Sequence, residues 1–175
     1  MDLKTKLLIR NKLKNILRDK EVLDVIIFGS FVKGKAIPGD IDIAVITDKP
    51  LRENLDGFHV SILRPEDFFL NPPTLVNTLL REGYSVKYEK FFAERYKFSG
   101  KTLFTYKVAS LKPSVRVKVV TTLRGRKKDV GMVKTLNGEW LADQVFIVPI
   151  EVTHLFEKFF LNFSVSFKRY TILIY

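Results

Sequence analysis

Two β-branched apolar runs, separated by a glycine-rich segment that ends in paired aspartates, constrain the fold of this chain most strongly. Residues 26–46 read IIFGSFVKGKAIPGDIDIAVI. Both apolar runs are too short for helices and are typical of buried strands, so the pattern predicts a strand, a tight turn and a second strand. A carboxylate inside such a strand is costly unless it has a partner, so Asp40 and Asp42 require a chemical explanation.

The turn after the first strand has the composition of an anion site. The strand is predicted to end at Phe28, where Gly29 allows the backbone to turn sharply. Ser30 is predicted to begin a short helix, whose free N–H groups and hydroxyl can hold a phosphate. Lys33 and Gly34 follow in the same turn. These residues, Gly29 to Gly34, are the candidate nucleotide-binding segment.

The second strand places its two acids side by side. Because side chains alternate along a strand, Asp40 and Asp42 share one face while Ile41 and Ile43 point into the core. Neighbouring carboxylates repel each other, and a divalent cation with oxygen ligands relieves that repulsion. The predicted cofactor is therefore Mg²⁺ or Mn²⁺, and the predicted ligand is a metal-bound nucleoside triphosphate such as ATP.

These residues resemble a known signature. Phe28-Gly29-Ser30, nine further residues and then Asp40-Ile41-Asp42 are similar to the motif of polymerase-β-like nucleotidyltransferases, over residues 5–89 approximately. The resemblance implies a mixed sheet with packed helices and the transfer of a nucleoside monophosphate from a triphosphate to a hydroxyl, with two metal ions. It implies that Asp40 and Asp42 are catalytic metal ligands and that Gly29, Ser30, Lys33 and Gly34 bind the nucleotide.

One position departs from the family pattern. Family members supply a third carboxylate from a later strand, and the corresponding residue here is His59. A neutral imidazole can ligate a divalent ion, but it suits Zn or Mn better than Mg and adds no negative charge. His59 is therefore a candidate catalytic residue and equally a candidate for an ordinary, partly buried histidine. Asp56, Glu66 and Asp67 are the nearby acids that could compensate.

The distribution of charge sets the second half of the chain apart. Residues 1–89 contain 14 Lys and Arg against 13 Asp and Glu, whereas residues 90–175 contain 16 against 6. Clustered cations gain affinity for nucleic acids by releasing phosphate counterions, although a solvated basic face is the alternative. The candidate nucleic-acid-binding residues are Arg116, Lys118, Arg124, Arg126, Lys127 and Lys128.

The predicted organisation is two small α+β domains. Residues 1–89 form a nucleotidyltransferase-type mixed sheet with packed helices, and residues 90–175 form a basic α+β domain for which nucleic-acid binding is a candidate role. An amphipathic helix is predicted over residues 3–20. A second helix, opened by Pro113 and closed near Gly125, is predicted over a segment whose β-branched residues also fit a strand.

Cysteine content and hydropathy limit the kinds of bonds, metal sites and cellular location that we expect. The chain contains no cysteine, which excludes disulfides and thiolate metal sites. No uncharged apolar run long enough for a membrane span or a signal peptide is present, so we expect a cytoplasmic protein without a membrane partner. The sequence leaves the oligomeric state open.

The leading functional hypothesis is a metal-dependent nucleotidyltransferase whose acceptor is RNA or another nucleic acid. Two alternatives stay open. The first is a catalytically impaired fold that acts as a nucleic-acid-binding or regulatory module, which His59 favours and the paired acids oppose. The second is a protein adenylyltransferase of toxin–antitoxin type, which the family resemblance also permits.

Overall fold

The computed structural model describes residues 3–34, 41–49, 55–126 and 129–175. The chain divides into two compact units, residues 1–100 with Tyr175 and residues 101–174. Across the described ranges no helix is long and apolar enough to cross a lipid bilayer.

The first unit opens with two short helices. α1 spans Leu3–Lys12 and α2 spans Lys14–Arg18. The sequence predicted one continuous helix here, but the helix is interrupted at Leu13, whose side chain is fully buried. Ile9 and Ile16 are also buried, whereas Leu7 and Leu8 of the predicted amphipathic helix are 53% and 60% exposed.

The sheet of the first unit is mixed, as predicted. Its strands are β1 (Val22–Ile27), β2 (Ile41–Thr47), β3 (Phe58–Leu63), β4 (Tyr84–Ser85) and β5 (Lys90–Phe91), in the order β3-β2-β1-β4-β5. β2 pairs with β1 antiparallel and with β3 parallel, and β4 pairs antiparallel with β1 and β5.

The helical segments of the first unit pack on its sheet and enclose an apolar core. They are α3 (Thr74–Glu82) and two 3₁₀ helices, Pro65–Phe68 and Phe92–Tyr96. Leu79 of α3 is fully buried, and so is Ile26 of β1. These two residues share one apolar cluster with Ala44, Ile46, Leu63, Val76 and Phe92.

The second unit alternates strands and helices. Its main elements are β6 (Ser99–Lys107), α4 (Pro113–Arg124), β9 (Glu139–Ala142), β10 (Val145–Pro149), α6 (Thr153–Asn162) and β11 (Ser166–Ile174). Two-residue strands β7 (Gly125–Arg126) and β8 (Asp129–Val130), the short helix α5 (Met132–Thr135) and a 3₁₀ turn (Ile150–Val152) lie between them. The four long strands form a sheet in the order β11-β6-β10-β9. This βαββαβ arrangement is the split-βαβ, or ferredoxin-like, topology.

Phenylalanines form the core of the second unit. Phe104 of β6 stacks on Phe146 of β10, with ring centres 5.4 Å apart, and both side chains are fully buried. Phe156 and Phe160 of α6 pack against the same pair, with ring centres 5.8 and 5.7 Å from that of Phe104. These aromatic side chains therefore serve core packing.

Several local predictions need correction. The sequence YSVKY at residues 84–88 predicts a strand, but β4 is only two residues long, at Tyr84–Ser85. The predicted short helix beginning at Ser30 is a run of hydrogen-bonded turns over residues 29–34. The ambiguous segment at residues 115–122 is helical, because Pro113 begins α4 and Gly125, with φ of +85°, ends it.

Candidate active site

The antiparallel pairing of β1 and β2 positions the glycine turn, residues 29–34, beside Asp42. Ile27 pairs with Ile43, and the Phe28 backbone N–H donates to the Asp42 carbonyl oxygen at 3.1 Å. The ladder therefore ends with Gly29 next to the start of β2. The strand–turn–strand unit that the sequence predicted is present, although residues 35–40 lie outside the part of the chain that the structure describes.

Gly29 lies against the carboxylate of Asp42. Its φ is +80°, and a Cβ atom at this position would lie 2.6 Å from Asp42 Oδ2. A contact that short is well inside van der Waals separation, so only glycine fits here without displacing the carboxylate. The turn and the acid therefore form one local structure.

The glycine turn presents unused backbone donors. Within it, Lys33 N–H donates to the Gly29 carbonyl and Gly34 N–H to the Phe31 carbonyl, at 3.5 and 3.1 Å. The N–H groups of Ser30, Phe31 and Val32 have no acceptor among the described residues. Successive free N–H groups in a turn form an anion-binding concavity, which gives the predicted phosphate site a physical basis without a helix N-terminus.

His59 lies directly beside Asp42. The parallel register of β2 and β3 pairs these two residues, and His59 Nδ1 is 3.2 Å from Asp42 Oδ1. Because an ionised carboxylate can only accept, Nδ1 carries the proton in this hydrogen bond. The His59 side chain is 73% exposed and that of Asp42 35% exposed. His59 is therefore a surface residue at the site and not a core histidine.

The side chains around Asp42 supply some of the ligands that a divalent cation requires. Asp42 contributes a partly exposed carboxylate. Because Gly29 has no Cβ atom, no side chain from this position blocks the Oδ2 atom of Asp42. Within the described ranges no three His, Asp, Glu or Cys side chains form a metal-binding cluster. Asp40, the second predicted ligand, lies outside the described residues. Asp42 is the described residue that would hold a metal ion, since carboxylate oxygens suit Mg²⁺ and Mn²⁺.

The family assignment follows from a comparison with known protein families. A family model described as a nucleotidyltransferase domain matches residues 10–130. The chain belongs to the nucleotidyltransferase-domain family. No curated protein and no solved structure shows significant similarity to it. The match is consistent with the polymerase-β-like superfamily, and it extends beyond residue 89, where the sequence resemblance ended.

Membership of this family indicates the reaction class and the substrate of the domain. It supports nucleotidyl transfer as the reaction class and implies a nucleoside triphosphate as substrate. Domains of this family typically use divalent metal ions.

Lys33 of the glycine turn forms an ion pair with an acid that the sequence analysis did not predict to be part of the site. Its Nζ lies 2.6 Å from Oε2 of Glu82, whose side chain is only 6% exposed. Glu82 is the last residue of α3, so this ion pair ties the glycine turn to that helix. An acid at the end of an amphipathic helix normally lies in solvent, and no local signal marked Glu82 as buried.

The other acids near His59 have different contacts. Asp67 Oδ2 accepts the Arg64 backbone N–H at 2.7 Å, and Glu66 lies 3.3 Å from the Arg64 guanidinium. Asp67 therefore caps the 3₁₀ helix at Pro65–Phe68, and Glu66 pairs with the side chain of the residue before it. Asp56 is exposed in the turn before β3. His59 is the described side chain that hydrogen-bonds to Asp42, and it stands where the family resemblance implies a third carboxylate.

Three of the four described residues in the predicted nucleic-acid patch make contacts within their own unit. Arg116 donates to the carbonyl oxygens of Val108 and Ala109, at 3.1 and 2.7 Å. Lys118 Nζ lies 5.4 Å from the centre of the Phe163 ring.

The C-terminal end of α4 shows the same pattern. Arg124 donates to Asp143 at 2.6 Å and stacks over Trp140, 4.1 Å from its ring centre. Arg126 is exposed, and Lys127 and Lys128 lie outside the described residues. Arg116 and Arg124 thus have evident structural roles, which reduces the number of cations that α4 can offer to a phosphate backbone.

Proposed function

We propose that this protein is a divalent-metal-dependent nucleotidyltransferase that moves a nucleoside monophosphate from a triphosphate to a hydroxyl group, with RNA as the acceptor. The observation that carries this proposal is the close packing of Gly29 on Asp42, which joins a turn with free N–H groups to a carboxylate. An anion-binding turn and a metal-binding acid are the two parts that a metal-bound triphosphate requires.

The glycine turn would bind the phosphates. The free N–H groups of Ser30, Phe31 and Val32 would donate to phosphate oxygens, and the Ser30 hydroxyl adds a fourth donor. Lys33 would contribute positive charge from a position that Glu82 fixes. Holding the triphosphate in one orientation lowers the entropic cost of reaching the transition state.

Asp42 would hold the metal ion, together with Asp40, which lies two residues earlier in the sequence. When bound, the ion supplies positive charge that stabilises the leaving pyrophosphate and makes the acceptor hydroxyl more acidic. His59 would orient the Asp42 carboxylate through its Nδ1–H, leaving Oδ2 toward the glycine turn.

The reaction balances without any further reactant. The acceptor oxygen forms a bond to the α-phosphorus, and the bond from that phosphorus to the α–β bridging oxygen breaks. Pyrophosphate leaves with the electron pair of the broken bond, and the acceptor proton passes to a carboxylate oxygen or to water. The products are a nucleotidylated acceptor and pyrophosphate.

The contact between His59 and Asp42 favours a second candidate function. An imidazole occupies the position beside Asp42 where the family resemblance implies a third carboxylate. With less negative charge the site would bind a nucleotide without efficient transfer, so a nucleotide-binding or regulatory module is the second candidate. A protein hydroxyl is the alternative acceptor.

A paired-label experiment tests the proposal. The protein is incubated with triphosphates labelled at the α- or the γ-phosphate, with Mg²⁺ or Mn²⁺, and with total RNA or total protein. We expect the α-label, and not the γ-label, to enter RNA. Asp42→Asn should lower this incorporation by about 100-fold or more, because it removes a metal ligand.

Asp48→Asn is the matched control, because Asp48 is an exposed acid just beyond the other end of β2. It should leave incorporation unchanged. Failure to incorporate the α-label with either metal, while triphosphate still binds, would favour the regulatory module. Incorporation into protein alone would identify a protein acceptor.

A further inference from the structure

The sheet of the second unit has two chemically different faces. Phe104 and Tyr106 of β6 point toward the helices, where they join the phenylalanine core. On β11, Phe167 packs on the same core and Arg169 pairs with Glu157 of α6. Because side chains alternate along a strand, the residues between these lie on the opposite face, away from α4 and α6.

That opposite face is basic where β6 and β11 are neighbours. We call it the lysine face, and it carries Lys101, Thr105 and Lys107 of β6 together with Ser166, Lys168 and Tyr170 of β11. Five of these residues, Thr105, Lys107, Ser166, Lys168 and Tyr170, line one shallow cavity of about 300 Å³, to which Tyr106 and Phe167 also contribute.

The cations of the lysine face are not engaged elsewhere. In the part of the chain that the structure describes, the side-chain ammonium groups of Lys101, Lys107 and Lys168 make no ion pair or hydrogen bond. Arg116 and Arg124 of α4, by contrast, are bound to carbonyl groups and to Asp143. Unpaired lysines keep their positive charge available for a polyanion.

Tyr170 adds an aromatic surface between the lysines. Its side chain is 50% exposed, and no ring contact or hydrogen bond to it is found among the described residues. Most aromatic side chains of this unit are buried in its core instead. A half-exposed tyrosine beside lysines can stack a base while the lysines contact the adjoining phosphates.

We propose that the lysine face binds single-stranded RNA, with Lys101, Lys107 and Lys168 contacting the phosphate backbone and Tyr170 stacking a base. This inference deepens the proposed function, on which it rests, by locating the acceptor on β6 and β11 and not on α4. Residues 101 and 107 lie at the two ends of one face of β6, roughly 20 Å apart, a span suited to several nucleotides.

The fold gives this proposal support by analogy only. RNA-recognition modules with a four-stranded sheet stack bases on aromatic side chains of the face that helices leave uncovered. Here the central strands β6 and β10 carry Leu103 and the buried Ile147 on that face and no aromatic residue. Tyr170 on β11 is therefore the stacking residue, and one stacked base with backbone contacts favours binding of low sequence specificity.

Fluorescence anisotropy with a labelled single-stranded RNA of mixed sequence tests the proposal in the intact protein, without triphosphate. The variant is Lys101→Glu, Lys107→Glu and Lys168→Glu combined. The matched control is Lys112→Glu, Lys134→Glu and Lys158→Glu, which makes the same change of charge at exposed lysines on the helical side. The lysine-face variant should lose roughly tenfold or more in affinity. The slope of log affinity against log salt concentration should fall in magnitude by about 2, since each phosphate contact with a single strand contributes about 0.7 to that slope.

Substitutions of Tyr170 separate stacking from charge. Tyr170→Leu should weaken binding roughly tenfold, whereas Tyr170→Phe should keep the wild-type affinity because the ring is retained. Circular dichroism of each variant verifies the fold. A deoxy oligonucleotide and an RNA duplex of the same sequence show whether the face selects single-stranded RNA, and tighter binding of the duplex would overturn the proposal.

Two further outcomes would also overturn it. Equal losses of affinity in the lysine-face and control variants would mean that net charge alone drives binding. A second variant combines Lys118→Glu with Arg126→Glu, in and just after α4; a loss of affinity confined to this variant would mean that RNA binds at α4. Asp42→Asn should bind RNA normally, because it is part of the triphosphate site. In the wild-type protein, by contrast, failed transfer with intact RNA binding would count against the proposed function, whereas failed RNA binding with intact transfer would count against the lysine face.

Discussion

At the scale of single residues, Gly29 and Gly57 form a natural pair for a test of the glycine turn. Both have a positive φ, +80° and +83°, but a Cβ atom at Gly57 would meet nothing within 4 Å, whereas one at Gly29 would lie 2.6 Å from Asp42 Oδ2. We expect Gly29→Ala to abolish metal-dependent triphosphate binding and Gly57→Ala to cost only backbone strain, about 1 kcal/mol of stability.

Calorimetric titration with a non-hydrolysable triphosphate measures this difference, and thermal melting measures the strain. Ser30→Ala provides a graded comparison, because it removes one hydrogen bond worth about 1 kcal/mol. Binding that is weakened equally by Gly29→Ala and Gly57→Ala would show that close packing on Asp42 is unimportant.

His59 separates the two candidate functions. His59→Asp places a second carboxylate next to Asp42, where Nδ1 now lies 3.2 Å from Oδ1. Repulsion should lower the melting temperature of the metal-free protein, and added Mg²⁺ should restore it. Transfer activity in Mg²⁺ should rise. A variant that is less stable with and without Mg²⁺, and no more active, would exclude a metal role for this position.

The sequence could predict Gly29 beside Asp42 because Gly29 follows the first predicted strand of a strand–turn–strand unit and Asp42 lies in the second. It could predict His59 only through the family resemblance, because the parallel register of β2 and β3 is not encoded in local spacing. The ion pair of Lys33 with Glu82 joins residues far apart in the chain. Pairings of that kind depend on packing, which no periodicity reveals.

At the scale of secondary-structure elements, a buried acid links β1, β4 and the 3₁₀ helix at Phe92–Tyr96. Asp24 of β1 is 1% exposed, and its Oδ1 accepts the Ser85 hydroxyl and the Val25 N–H at 2.7 and 2.8 Å. Its Oδ2 has no hydrogen bond from the described residues, and Arg95 lies 3.6 Å from it. Burial raises the pKa of Asp24, while Ser85, Val25, Arg95 and Lys87 oppose that rise.

This raised pKa predicts a pH dependence of stability. The folded state holds the Asp24 proton more tightly than the unfolded state, in which the pKa is about 3.8. The free energy of unfolding should therefore fall as pH rises from about 4, and level off above the folded pKa. Asp24→Asn should remove this component, because the amide does not ionise.

Urea unfolding between pH 4 and 8, about the range in which a raised carboxyl pKa falls, compares the variant with wild type. Asp56→Asn is the control, as Asp56 is exposed and lies in a turn. A constant difference between Asp24→Asn and wild type across this range would mean that Asp24 titrates as an ordinary surface acid.

Element boundaries show which local signals decided the structure. α4 forms despite its β-branched residues, because Val119 and Leu123 lie four residues apart and are both fully buried. β4 is short and ends before Lys87, whose side chain donates to the Val22 carbonyl at 2.8 Å. The first outcome was predictable from helical spacing and Pro113, but the second depends on a contact with β1.

At the scale of the whole molecule, each compact unit has its own apolar cluster. One surrounds Leu79 in the first unit and the other surrounds Phe104 in the second. We expect Phe104→Ala to destabilise the second unit by about 3–5 kcal/mol and Leu79→Ala to destabilise the first by about 2–5 kcal/mol. Separate cores predict that each substitution acts on its own unit.

Amide hydrogen exchange reports the two units independently. Phe104→Ala should accelerate exchange in β6 and β10 while residues 41–47 keep their protection, and Leu79→Ala should do the reverse. Loss of protection in both units from either substitution would show that they unfold as one cooperative structure.

Charge is also divided between the units. Residues 101–174 contain 13 Lys and Arg against 5 Asp and Glu, whereas residues 1–100 contain 17 against 14. The sequence could predict this asymmetry and the α+β class directly. It could not predict which strand faces carry the cations, because that depends on where the helices pack.

The strand order of the second unit brings its two chain ends together. β11 neighbours β6 in the sheet, and the ring of Phe98, just before β6, lies 5.8 Å from that of Tyr175, just after β11. A polypeptide that enters and leaves a structure at one point can be inserted into a surface loop of another protein with little disturbance to the host. The unit is therefore suited to transfer as a cassette, both in protein engineering and in the recombination of genes.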